Sequence, residues 1–173
     1  MRNVSGLKTK FVSPQEMLGD TAAWTLAYTS DRFAYSCDAT DEVAKLYMSL
    51  KLPLLNDDTV GEKYDPSAMI EKIELEYTVG TAALDAAVSA EIHSQARAVD
   101  GAAPVVTTVA STVAGVTVTD TKTVDDHLVT IVPNTAVKLN GTKALNLEVA
   151  FDKAATSTVT VHGARIYFKE MIA

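Results

Sequence analysis

Apolar and polar side chains alternate along much of this chain. Ile73, Leu75, Tyr77 and Val79 are interleaved with Glu74, Glu76 and Thr78, and Leu145, Leu147, Val149 and Phe151 with Asn146, Glu148 and Ala150. Leu46, Met48, Leu50 and Leu52 alternate in the same way with Tyr47, Ser49 and Lys51. Successive side chains on a strand point to opposite faces, so each segment has one apolar face and one wet face. Strands of this kind build antiparallel sheets on a shared core. Weaker strands fill the gaps. Trp24, Leu26 and Tyr28 share one parity, and Phe33, Tyr35 and Cys37 share another after the polar corner Thr29-Ser30-Asp31-Arg32. His127 to Val132 is apolar on both faces and reads as a central strand stopped by Pro133. Val137 and Leu139 lead into Asn140-Gly141, a hairpin dipeptide because both positions tolerate positive φ. In the last strand the parity set by Val159 and Val161 shifts before Ala164, Ile166 and Phe168, which predicts a bulge at Gly163. Roughly eight to ten strands spaced by turn signals predict a sandwich or barrel.

One segment fits two templates. Leu84, Val88, Ile92 and Ala96 in the Ala-rich stretch Thr81 to Val99 have the spacing of an amphipathic helix. Val88, Ala90 and Ile92 also alternate with Ser89, Glu91 and His93, as a strand would require. Periodicity leaves both open. Met1 to Asp20 lacks clear periodicity and reads as an N-terminal arm, with a short helical turn around Gln15 to Leu18; residues 21–173 read as the body. Leu54 to Pro66 reads as a long exposed loop. No internal repeat of solenoid period is present.

Composition sharpens the strand reading. Val and Thr are each used about twenty times, and β-branched side chains suit a pleated, half-buried surface. With 173 residues the chain makes one domain, large enough to bury a core without metal or disulfide. The net charge of -7 argues against a phosphate-tracking surface and therefore against a nucleic-acid partner. The single cysteine, Cys37, excludes an internal disulfide and a Cys-cluster metal site. No stretch approaches the ~18 apolar residues of a membrane-spanning helix, and Met1 to Asp20 has no signal-peptide core, so no membrane partner is expected.

Candidate chemistry is sparse. His93, His127 and His162 have no companion at metal-ligand spacing. In Asp125-Asp126-His127 the imidazole can share a strand face with Asp125 but not with Asp126, and a turn before a strand is the simpler reading. Asn56-Asp57-Asp58-Thr59 and the acidic stretch Asp38 to Glu42 lack EF-hand spacing and read as solvated loops. Cys37 follows Phe33 and Tyr35 in alternation and reads as a small core residue. Trp24, Tyr28, Phe33 and Tyr35 are either core aromatics or a sugar-stacking platform, and their strand parity favours core. No nucleophile elbow, β-lactamase motif set or phosphate-cradling glycine loop occurs, so neither enzyme activity nor a cofactor is expected.

Three stretches resemble a known group. Ile70 to Asp85 (IEKIELEYTVGTAALD) is similar to a strand and turn of the small jelly-roll virion proteins of tailed bacteriophages. So are Leu145 to Thr158 and the closing strand Val159 to Lys169 with Gly163-Ala164-Arg165, and in such chains an Asp-Gly-rich turn like Asp100-Gly101-Ala102-Ala103-Pro104 follows the next strand. The similarity spans about Leu46 to Lys169. It implies an all-β antiparallel β-sandwich of jelly-roll type with an extended N-terminal arm, and a strand rather than a helix over residues 81–99. It further implies a capsid decoration protein, made in the host cytoplasm, carried on the phage head and bound as a homotrimer to the major capsid protein or another virion protein. On that reading Arg2, Lys8 and Lys10 lie on an acidic shell, while Val4, Leu7, Phe11 and Val12 bury against it to offset the ordering cost. The alternative is a host-recognition or carbohydrate-binding jelly roll of a tail or head fibre, with Trp24 and Tyr64 as sugar-stacking candidates.

Overall fold

The computed structural model describes residues 3–4, 6–20, 24–29, 32–38, 42–52, 67–96, 105–116, 120–140 and 143–172. Arg2, the Asn56 to Thr59 cluster, Tyr64, the turn at residues 100–104 and Gly141 lie outside them. Among the described residues thirteen strands follow in chain order: β1 (Asn3–Val4), β2 (Lys8–Val12), β3 (Met17–Gly19), β4 (Trp24–Thr29), β5 (Arg32–Cys37), β6 (Glu42–Ser49) and β7 (Ser67–Gly80). The rest are β8 (Ser89–Ala96), β9 (Val106–Gly115), β10 (Asp125–Pro133), β11 (Val137–Asn140), β12 (Lys143–Lys153) and β13 (Thr158–Ile172). All pair antiparallel in one sheet with the path β3-β6-β12-β8-β9-β10-β7-β13-β5-β4. The all-β antiparallel expectation is therefore met, in the form of one continuous sheet curled nearly into a barrel.

Two long strands organise the sheet. β13 pairs with β7 along its length and shares its other edge among β5 (at 159–161), β2 (at 164–168) and β1 (at 171–172). β7 likewise receives β10 over 73–79 and β11 over 67–70. The residues expected as an arm belong to this sheet. β2 pairs with β13, a 3-10 turn at Pro14–Glu16 crosses the gap, and β3 pairs with β6 at the opposite end of the path. Near closure is completed by Tyr35, whose Oη accepts the Gly19 N–H at 3.1 Å, and by Trp24, stacked on Tyr35 at 5.3 Å. A β-carbon on Gly19 would lie 2.2 Å from the Trp24 ring, so only glycine admits the indole here.

The inward faces carry the predicted apolar residues. Leu46, Ile73, Leu75, Tyr77, Leu147, Val149, Phe151 and Ile166 are all fully buried. Burying a side chain of this size contributes about 1.5–3 kcal/mol, which makes this core the main source of stability. The ambiguous segment resolves as a strand over Ser89–Ala96, held between β12 and β9. Leu84, Val88 and Ile92 are buried as either template required. What decides is that two neighbouring ladders satisfy the backbone of β8, and tertiary pairing outweighs the helix propensity of alanine. Residues 81–88 instead run outside the strands, where Ser157 Oγ donates to the Ala83 carbonyl at 2.6 Å and the Val88 N–H to Thr121 Oγ1 at 3.1 Å. The expected bulge at Gly163 is present, as a register shift between Val161 and Gly163.

Candidate functional site

The outer face of β2 beside the β13 bulge carries the most built surface feature. Val12 points inward and is fully buried, so Phe11 must point outward, and it is 58% exposed. Its ring rests on Gly163, where an added β-carbon would lie 2.6 Å from Cζ. Gly163 has φ +153°, a region open almost only to glycine. Bulges re-aim side chains, and this one makes a seat for an exposed aromatic. Leu7, just before β2, is 54% exposed.

The other residues expected to grip a partner are placed differently. Lys8 and Lys10 share the inward parity of Val12. Lys8 pairs with the buried Glu170 at 2.6 Å, and Lys10 donates to the Lys51 carbonyl at 2.9 Å and faces Glu16 at 3.6 Å. Their charge serves this chain's own fold. Val12 fills the core, and Val4 lies on β1 opposite Met171. Leu7 and Phe11 remain presented outward.

Beside the bulge lies a polar group of four elements. Arg32 meets Glu76 at 3.4 Å, and Thr78 Oγ1 donates to the Asp126 carboxylate. With its one proton so used, Thr78 Oγ1 accepts from His162 Nε2 at 2.8 Å, which leaves His162 Nδ1 buried without a hydrogen bond. Burial first, and then Arg32, hold the His162 pKa below its ordinary value.

A second group spans β6, β12, β8 and β9. His93 Nδ1 lies 3.1 Å from Thr108 Oγ1, His93 Nε2 lies 3.2 Å from Glu148, and Glu148 meets Lys45 at 2.7 Å. Burial pushes the Glu148 carboxyl up, but Lys45 and His93 outweigh it and leave the pKa lowered. Hydroxyl, imidazole and carboxylate in line have the order of a nucleophilic relay. In the sheet β8 joins β12 to β9, and β9 meets β10 only over 111–115, beyond Thr108. The chain ties four strands together across the outer face.

Several sequence candidates are structural. His127 is buried, stacks on Tyr77 at 5.0 Å and bonds the Thr123 carbonyl at 2.8 Å. Asp125 and Asp126 are exposed. Cys37 is buried, and burial raises its thiol pKa even though Lys153 opposes this. Trp24 is only 6% exposed and cannot offer a face to a sugar, whereas Tyr28 (62%) and Phe33 (37%) are open and meet edge to face at 5.0 Å. Among the described residues no group of three His, Cys, Asp or Glu is placed to hold a metal ion.

Sequence reasoning missed Lys153, which is fully buried, donates to the Asp38 carbonyl and lies 3.8 Å from Glu42. Its signal was available: position 153 continues the inward parity of 147, 149 and 151. No known family model matches this chain, and no curated protein matches it.

Proposed function

We propose that the protein is a non-enzymatic coat component of a tailed-phage virion, a jelly-roll relative that attaches to the assembled shell by surface complementarity. One observation carries the binding part of this reading: Phe11, more than half exposed, is held on a glycine bulge that accepts no other residue without strain. An aromatic fixed before its partner arrives loses little freedom on binding, the property of an interface hot spot. Leu7 extends the apolar surface, and the major capsid protein is the proposed partner. The virion setting rests on the resemblance of residues 70–85 and 145–169. A barrel interior filled by side chains and outer faces tied by ion pairs suit a rigid particle that docks and does not turn over substrate.

The test is co-sedimentation of purified protein with virus heads, together with mass spectrometry of the virions. Wild-type protein is expected in the virion and on the heads. Phe11→Ser should weaken head binding at least tenfold while leaving the melting temperature within a few degrees. Absence from virions, or undiminished binding by the variant, overturns the proposal. The carbohydrate alternative draws on Tyr28 and Phe33, and glycan-array binding lost in Tyr28→Ala would replace the shell reading with that one.

A further inference from the structure

Among the described residues β4 pairs with β5 alone, so β4 presents a free sheet edge. Its sequence, Trp-Thr-Leu-Ala-Tyr-Thr, holds no charge, no proline and no lysine, although such residues are the usual protection of an edge strand. The same hairpin carries an open apolar face. Leu26 is 42% exposed, Tyr28 62% and Phe33 37%. Directly opposed residues of an antiparallel pair share a face, and Leu26 faces Tyr35 while Tyr28 faces Phe33. The base of this face joins the core through Trp24, and its outer part stands uncovered.

We propose that β4 is a self-association edge, on which a second copy lays its own β4 antiparallel across a two-fold axis. Three observations select a second copy. An uncharged strand on a chain of net charge -7 is where two like-charged molecules meet with least repulsion. The only charged side chain of the two described strands, Arg32, is occupied by Glu76. The strand is also self-complementary. With the axis at Ala27, Leu26 of each copy faces Tyr28 of the other, so apolar residues meet apolar. An isologous edge closes at two copies, unlike the three that the phage resemblance implies.

The exposed parts of Leu26, Tyr28 and Phe33 come to roughly 250–300 Å² per copy. Twice that is below the ~1,200–2,000 Å² of a standard interface, so the dimer belongs to the weak, concentration-dependent class. Sedimentation equilibrium on the full chain from ~10 μM to ~1 mM tests it, a range suited to weak association. Wild type should pass from monomer to dimer. Tyr28→Lys and Leu26→Glu should each stay monomeric, with unchanged circular dichroism and melting temperature. Mixed one to one, the two variants should form a heterodimer, because the introduced lysine then meets the introduced glutamate. A monomeric wild type, a trimer, dimers unaffected by either substitution, or a mixture that stays monomeric each overturns the inference. A monomer that still binds heads leaves the coat reading intact, whereas a dimer that binds no heads refutes that reading alone.

Discussion

At Gly163 two constraints meet: a φ of +153° and the Phe11 ring, which occupies the place of a β-carbon. Gly163→Ala must strain the backbone and displace the ring. The expected cost is about 1–3 kcal/mol, or a melting temperature lower by about 2–12 °C, read by calorimetry. The bulge was legible in the sequence because the inward parity changes between Val161 and Ala164. The ring above it was not, since nothing near Gly163 in the chain names a residue from the opposite terminus. The neighbouring His162 gives a second expectation. Burial and Arg32 lower its pKa in the fold, while the Glu76 and Asp126 carboxylates oppose the shift. The unfolded chain, with an ordinary value of about 6.5, therefore takes up a proton before the fold does. Stability should be constant above that value and fall as pH drops below it. Glu74 and Glu148 also have lowered pKa values, and their contributions disappear only at more acidic pH, below the ordinary carboxylate range. Thermal melts of wild type and His162→Gln from pH 8 down to about pH 2 would separate these, since the variant should lose the upper step and keep the lower one. A wild-type curve flat from pH 7 to 5 would refute the assignment.

The N-terminal segment and β8 show what pattern reading misses in single elements. Residues 8–19 have no consistent alternation because their inward positions include Lys8 and Lys10, whose ammonium groups end on Glu170 and the Lys51 carbonyl. A strand closing a barrel at its rim can point cations inward, and then hydropathy no longer marks its buried face. Removing residues 1–20 strips β13 of two partners, exposes β6 and takes Val12 and Met17 out of the core. At about 1.5–3 kcal/mol for each of the two side chains, set against a total stability of about 5–15 kcal/mol, the truncated chain should melt at least 10 °C lower or fail to fold. Head binding by an intact, equally stable truncation would contradict the pairing itself. For β8 the difficulty was different. Leu84, Val88 and Ile92 are buried in the structure, and both templates bury them. Only the partners on either side, β12 and β9, distinguish strand from helix, and β12 lies far away in sequence.

On the scale of the whole molecule, antiparallel sense and core residues were readable from period-two segments such as Ile73 to Val79 and Leu145 to Phe151. The eight to ten strands expected fell short of the thirteen described, the short β1, β2 and β3 carrying no alternation. The near closure was not readable, because it depends on β2 and β3 joining the two ends of the path and on the small contact of Trp24, Gly19 and Tyr35. Pairing residues 8–12 with 164–168 joins the far ends of the chain, so folding should be slow, in the millisecond-to-second range of proteins dominated by long-range contacts. Stopped-flow refolding complete within microseconds would exclude this closure as part of the rate-limiting step. The same pairing has a mechanical consequence. Asn3 lies opposite Ile172 and Val4 opposite Met171, so a pull applied between these ends loads the ladder one hydrogen bond at a time. In a single-molecule stretching experiment the first event should be low-force unzipping of β1 and β2 from β13, followed by a higher-force rupture of the remaining barrel.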